Sequence, residues 1–191
     1  MFRKLLIFIC AFLPAACVFN GPPKGLLLET GSHPSTPVLV QEILINGASV
    51  QRGEALQASG WADPKGSTAS SLSMPIDAAD KSRLHLSAQW VDLGQNTTFR
   101  GAIAARMSDL DVLTGGTPTG RVIVLFGPDG YLELATSAPP DATGQYNGRI
   151  IATTCAEAGP GLAADHRIWQ DARYLRLKDD PTPAPDMGCG S

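Results

Sequence analysis

The residue types able to do chemistry are few in this chain, and their spacing is uninformative for most of them. The histidines are His33, His85 and His166, too far apart for the short His-x3-His type of spacing that brings two imidazoles to one metal. Cys10, Cys17, Cys155 and Cys189 lack the two-residue spacing of a zinc knuckle. No serine sits in Gly-x-Ser-x-Gly, and there is no His-Glu-x-x-His or Gly-x4-Gly-Lys. His166 beside Asp165 could join a serine in a triad only through tertiary folding. Asp109 and Asp111, in SDLDVLTGG, offer two carboxylates, short of the six to eight oxygens calcium takes, so no metal is expected. GPGLAA, residues 159–164, matches a Gly-x-Gly-x-x-Ala dinucleotide fingerprint, with Asp179 and Asp180 further on. That fingerprint needs a βαβ unit, and no second strand follows, so a tight turn is the better reading and no cofactor is expected.

Cysteine chemistry is more telling. Residues 1–16 open with Arg3 and Lys4, continue through the apolar LLIFICAFL, and end in Pro14-Ala15-Ala16. This is the layout of an export signal. The apolar run is too short for a spanning helix, which needs roughly 17–25 residues. Ala15-Ala16-Cys17 fits lipoprotein processing, with Cys17 acylated, although Pro14 stands where a leucine-like residue is usual. Ordinary signal cleavage after Ala15 or Ala16 is the competing reading. Acylation of Cys17 leaves Cys155 and Cys189 as an even pair, which an oxidising compartment would join as a disulfide. The expected location is therefore the periplasm, with palmitate-type anchoring to a bacterial membrane, the outer membrane favoured.

The remaining composition sets the class of fold. The chain has 20 Gly, 15 Pro, 17% charged residues and a formal charge of −3. That balance suits a turn-rich β protein, and the absence of a basic run speaks against nucleic-acid binding. Residues 17–37 read as the lipidated cysteine and a Pro- and Gly-rich tether, with Leu26-Leu27-Leu28 as a candidate added edge strand. Residues 38–191 read as one β domain. VLVQEILI ends at Asn46-Gly47, a hairpin signal, and ASVQ begins its partner. Residues 52–82 read as loop. In RLHLSAQW, Leu84, Leu86, Ala88 and Trp90 alternate with polar residues, and FRGAIAA resumes the alternation at Phe99, Gly101 and Ile103. RVIVLF and YLELAT flank the turn Gly-Pro-Asp-Gly, and RIIATTC follows. Seven strands thus predict a β-sandwich or open barrel, with one candidate helix over residues 162–177. Of the tryptophans, Trp90 reads as core, whereas Trp61 and Trp169 could mark a surface.

Two stretches carry a resemblance. MPIDAADKSRLHLSAQWVDLGQNTTFRGAI, and RVIVLFGPDGYLELATSA followed by QYNGRIIA, together resemble a bacterial envelope lipoprotein family of unknown function. The likeness spans residues 74–155 and rests on the strand pattern, Pro75, Trp90, Phe99 and the Pro-Asp-Gly turn. Leu134-Ala135-Thr136 stands where that family carries a tryptophan-containing strand. Lipoproteins of this kind include immunity proteins against antibacterial effectors such as type VI secretion lipases. The resemblance implies a non-enzymatic inhibitor that binds a cognate toxin, with a structural or assembly lipoprotein of the envelope as the alternative. Trp61, Asp109 and Asp111 are the expected partner contacts.

Overall fold

The computed structural model describes residues 23–33, 35–56, 70–75, 82–113, 116–137, 148–167 and 186–190. Their strands are β1 (Gly25–Ser32), β2 (Val38–Ile45), β3 (Ala48–Leu56), β4 (Ser70–Pro75), β5 (Arg83–Asp92), β6 (Thr97–Arg106), β7 (Val112–Leu113), β8 (Thr119–Phe126), β9 (Tyr131–Ser137), β10 (Gly148–Cys155) and β11 (Glu157–Gly159). They form a β-sandwich. One sheet runs β10-β9-β8-β1-β4, with β7 alongside β8, and the other runs β11-β6-β5-β2-β3. The seven strands expected from sequence are all present as β2, β3, β5, β6, β8, β9 and β10.

Two expectations are corrected. Residues 25–32, read as tether, form β1, which is an inner strand between β4 and β8 and runs parallel to β8. Residues 52–82 are not all loop, since β3 continues to Leu56 and β4 occupies Ser70–Pro75. The candidate helix over residues 162–177 is described only in part: residues 162–166 run as coil and turn, Arg167 is helical, and residues 168–177 lie outside the described residues.

The alternation in β5 does what period two demands. Leu84, Leu86, Ala88 and Trp90 are buried, while Arg83 and His85 face solvent. Residues of both sheets fill the space between them, chiefly Leu26, Leu28, Val40, Ile43, Trp90, Phe99, Val122, Val124, Phe126, Leu132 and Leu134. Each such side chain contributes roughly 1.5–3 kcal/mol by leaving water. Trp90 touches Phe99 of its own sheet, centroids 5.8 Å apart, and Phe126 of the opposite sheet at 4.9 Å. Its Nε1–H has no hydrogen-bond acceptor, so apolar packing alone holds the indole.

Turns carry the rest. Asn46 and Gly47 both have positive φ, 49° and 82°, as a type I′ hairpin requires. The Asn46 side chain accepts a bond from the His85 N–H at 2.9 Å, tying the hairpin to β5. At the other end of the sandwich, Asp129 and Gly130 have φ of 54° and 79°. A Cβ on Gly130 would stand 2.7 Å from the Phe99 ring. The Gly130 carbonyl accepts the Ala156 N–H at 2.9 Å, at the corner where the chain passes from β10 in one sheet to β11 in the other. A Cys155–Cys189 disulfide, Cα–Cα 5.4 Å, ties the C-terminal segment to that corner. His33, expected in a tether, is instead buried in the β1–β2 crossing, with its N–H on Phe126 O at 2.9 Å and its Nδ1 bonded to Ser35 Oγ at 2.6 Å.

Two outcomes follow for stability. Gly130→Ala meets both a left-handed backbone and the Phe99 ring, and should cost roughly 2–4 kcal/mol. Gly47→Ala, with a similar φ and nothing within 4 Å of the new methyl, should cost only about 1–2 kcal/mol. Urea unfolding of the two variants gives the comparison; equal losses would show that the ring contact is not limiting. In the same assay Cys155→Ser with Cys189→Ser, opening a loop of sequence separation 34, should lower stability by roughly 3–4 kcal/mol on the chain-entropy estimate.

Candidate functional site: the open face of the five-stranded sheet

Of the predicted contact residues, Asp109 and Asp111 fall within the described residues. Cys17 and Trp61 lie outside the described residues. Asp109 and Asp111 are half-buried and tied to Arg149, which donates to the Asp109 carbonyl and places a guanidinium nitrogen 3.6 Å from the Asp111 carboxylate. The Asp111 N–H bonds Thr136 Oγ1 at 2.9 Å, and its carbonyl accepts the Arg121 N–H at 2.9 Å. This loop is thereby knitted to β8, β9 and β10. Among the described residues, no three His, Cys, Asp or Glu groups are placed to hold a metal ion. His166 is exposed and its N–H closes a turn onto Ala163 O at 2.9 Å.

GPGLAA is a clamp. Leu162 exchanges two bonds with the Asn96 side-chain amide, its N–H donating to Oδ1 at 2.8 Å and its carbonyl accepting from Nδ2 at 3.0 Å. A Cβ on Gly161 would stand 1.8 Å from the Asn96 carbonyl oxygen, which is why glycine is required there. Leu162 thereby packs on Leu39, Val91 and Leu93, closing one end of the outer face of the five-stranded sheet. Along the rest of that face Arg52, His85, Arg100, Ala102 and Ala104 are exposed.

Strand register arranges the open face in rows. Glu157 of β11, Arg100 of β6, Gln89 of β5, Glu42 of β2 and Arg52 of β3 lie opposite one another in succession, a polar row across all five strands. Arg100 Nε donates to Gln89 Oε1 at 2.8 Å, and Arg52 reaches Glu42 at 2.5 Å. The Arg52 and Ser49 hydrogen bonds hold the Glu42 carboxyl below the usual range. The next row pairs Ala102 with Ser87 and Ser87 with Leu44, the next pairs His85 with Ala104, and the last pairs Arg83 with Arg106. Small side chains in the middle rows leave hollows between taller polar rows. A groove of about 450 Å³ runs beside the first row, walled by Thr154, Cys155 and Glu157 of the corner. A second hollow of about 250 Å³ lies between Gly47, His85, Ser87, Ala102 and Ala104. The alternation in RLHLSAQW and FRGAIAA signalled this polar face, but only the register shows which residues stand side by side.

The six-stranded sheet presents a different outer face. Ile123, Leu125 and Ala135 are buried there, with the Glu29–Arg121 ion pair to one side and Tyr131 donating to Glu133 at 3.0 Å on the other. Burial pushes the Glu133 carboxyl up, the Tyr131 hydroxyl partly opposing it. Burial, then the Glu133 charge, pushes the Tyr131 phenol up to about 12.

Two packed sheets, one of them with exposed polar rows set by strand register, make this a β-sandwich. Comparison with family models, with curated proteins and with solved structures finds no match.

The raised Glu133 pKa fixes a pH effect. The folded state holds this proton more tightly than the unfolded chain does, so the contribution favours folding below the unfolded carboxylate pKa. It is lost as pH rises through the folded value. Glu133→Gln should make stability less dependent on pH above about 4.3 and raise it near neutrality. Urea midpoints of both proteins from pH 4 to 8 measure this; parallel curves would count against it.

Proposed function

We propose that this chain is a lipoprotein, anchored through Cys17 and facing the periplasm, that binds and neutralises a toxic envelope-targeting effector such as a phospholipase. The observation that carries the reading is the open face of the five-stranded sheet. Its floor is a hydrogen-bonded sheet whose strands are fixed by the core beneath, so its donors and acceptors are already ordered before a partner arrives. An inhibitor needs a surface of ordinary interface size, about 800 Å² per partner, and no catalytic group. The disulfide at the rim of the groove suits an oxidising compartment. The export-type leader and the resemblance of residues 74–155 to envelope lipoproteins point the same way.

A structural or assembly lipoprotein of the envelope is the second reading. Leu72 on β4 and Ile150 on β10 are 41% and 55% exposed, and these strands end the two sides of the six-stranded sheet. Apolar side chains on sheet edges suit lateral contact with neighbouring proteins.

Co-expression separates the two. In cells producing a candidate periplasm-targeted phospholipase effector, the full chain should restore colony counts roughly 100-fold if the effector is the cognate one. Cys17→Ala should abolish palmitate labelling and weaken that protection. Purified chain should inhibit the effector at equimolar concentration. Normal palmitate labelling without protection or inhibition would remove the inhibitor reading in favour of assembly.

A further inference from the structure

The Cys155–Cys189 bridge joins a firmly held corner to a lightly held segment. Cys155 ends β10, is exposed, and walls the groove of about 450 Å³ together with Thr154, Arg100 and Ala102. Cys189 is half-buried and does not line that groove. On its side of the bridge, the Gly188 N–H turns back on Asp186 Oδ1 at 2.7 Å, within the segment itself. Gly188 O lies 3.9 Å from Cys155 Sγ, but a bridged sulfur has no proton to donate, so this is a contact only. Among the described residues, no hydrogen bond or ion pair joins residues 186–190 to the sandwich. The Cys155 side is different. The Ala156 N–H bonds Gly130 O at 2.9 Å, Ala156 packs against the core, and β11 pairs with β6 from Glu157 to Gly159.

We propose that this bridge is a thiol-exchange site: a small thiol enters the groove, opens the bridge at Cys155 and releases the C-terminal segment, while the sandwich stays folded. The proposal goes beyond the inhibitor reading and does not depend on it. The incoming thiolate attacks Cys155 Sγ and forms a mixed disulfide. The Cys155–Cys189 bond breaks, and its electron pair leaves on Cys189 Sγ, which takes a proton from water. A second thiolate attacks the small molecule's sulfur in that mixed disulfide. This yields the small disulfide and a Cys155 thiolate, which is protonated in turn. The protein bridge is reduced by two electrons, and two small thiols are oxidised to one disulfide. Access decides which sulfur is attacked, and exposed bridges are the labile ones. The groove leads to Cys155, the more exposed end, and not to Cys189. Its volume falls within the range of roughly 300–1,000 Å³ typical of small-molecule pockets, so it admits a small thiol and not a folded protein. With the bond broken, no hydrogen bond or ion pair among the described residues retains residues 186–190, whereas strand pairing and core contacts keep the corner in place.

The test uses the purified full chain with the bridge formed, carrying Cys10→Ser and Cys17→Ser so that the bridge is its only cysteine pair, and reduced glutathione as the thiol. Acid quenching at intervals, followed by peptide mapping, locates the attached glutathione. The expected result is an adduct on the Cys155 peptide, formed without denaturant and before any on the Cys189 peptide. Ala102→Trp fills the groove from an exposed position and should slow bridge opening roughly tenfold, and Ala102→Leu by less. Ala104→Trp, exposed on the same strand but not lining this groove, should change the rate by less than about twofold. Melting curves show that each variant is folded; if Ala102→Trp is not, Ala102→Leu against Ala104→Leu gives the same comparison. The reduced and alkylated chain should still melt in one cooperative transition. Glutathione appearing first on Cys189 overturns the proposal, as do equal opening rates in the Ala102 and Ala104 variants. So does opening that requires urea concentrations at which the chain unfolds. A reduced chain with no melting transition overturns it as well, because the bridge is then a staple of the fold and not a releasable tie.

Discussion

The contact between Trp90 and Phe126 is the interaction on which the rest of the structure depends, because it joins the two sheets at the centre of their shared core. Its influence reaches the surface by a short path. Trp90 rests on Phe99, its partner in the β5–β6 ladder. Phe99 lies against Gly130, where no side chain competes for the space, and the Gly130 carbonyl holds the Ala156 N–H at the corner between β10 and β11. That corner supplies the wall of the larger groove and carries the disulfide. The position of the rim is thus set by aromatic packing beneath it. Close packing transmits such constraints because interiors have little free volume.

A second constraint decides what the open face displays. In β2, strict alternation from Val38 would send Glu42 and Leu44 to the same side as Val40, placing a carboxylate in the core. The ladder with β5 skips one residue between Val40 and Glu42, which is a β-bulge at Gln41. One extra residue reverses the parity of all that follows. Val38 and Val40 before the bulge, and Ile43 and Ile45 after it, all reach the core. Glu42 and Leu44 turn outward, where Glu42 meets Arg52 in the polar row and both line the groove. The Gln41 side chain, freed from the alternation, accepts a bond from Gln89.

How much of this was legible in the sequence depends on whether a residue's environment is local. Strands with one wet face announced themselves: Leu84 through Trp90 alternate because every second side chain meets water. The Asn-Gly and Pro-Asp-Gly turns were legible because their backbone angles select those residues. β1 was not legible. Its glycines and nearby prolines resemble a tether, and Leu26-Leu27-Leu28 does not alternate because Leu27 is half-buried while its neighbours are fully buried. Its parallel partner β8 lies far along the chain, so no hairpin signal marks the pairing. β4 is serine-rich and sits at an edge. As for the site, each polar residue of the open face was visible singly. That Arg83 faces Arg106, or that Glu157 completes a row begun at Arg52, is a property of register, which composition does not encode. Asp109 and Asp111 drew attention as a pair of acids, yet Arg149, which engages both, is 38 and 40 positions further along the chain.

The two outer faces of the sandwich handle charge in opposite ways. On the six-stranded sheet, Arg121 is buried against Glu29, an arrangement in which desolvation is offset by a partner of opposite sign. On the five-stranded sheet, Arg52 and Arg100 stay exposed to water beside Glu42 and Gln89. Solvent and salt screen such exposed pairs, so the core beneath, and not these pairs, holds the strands in register.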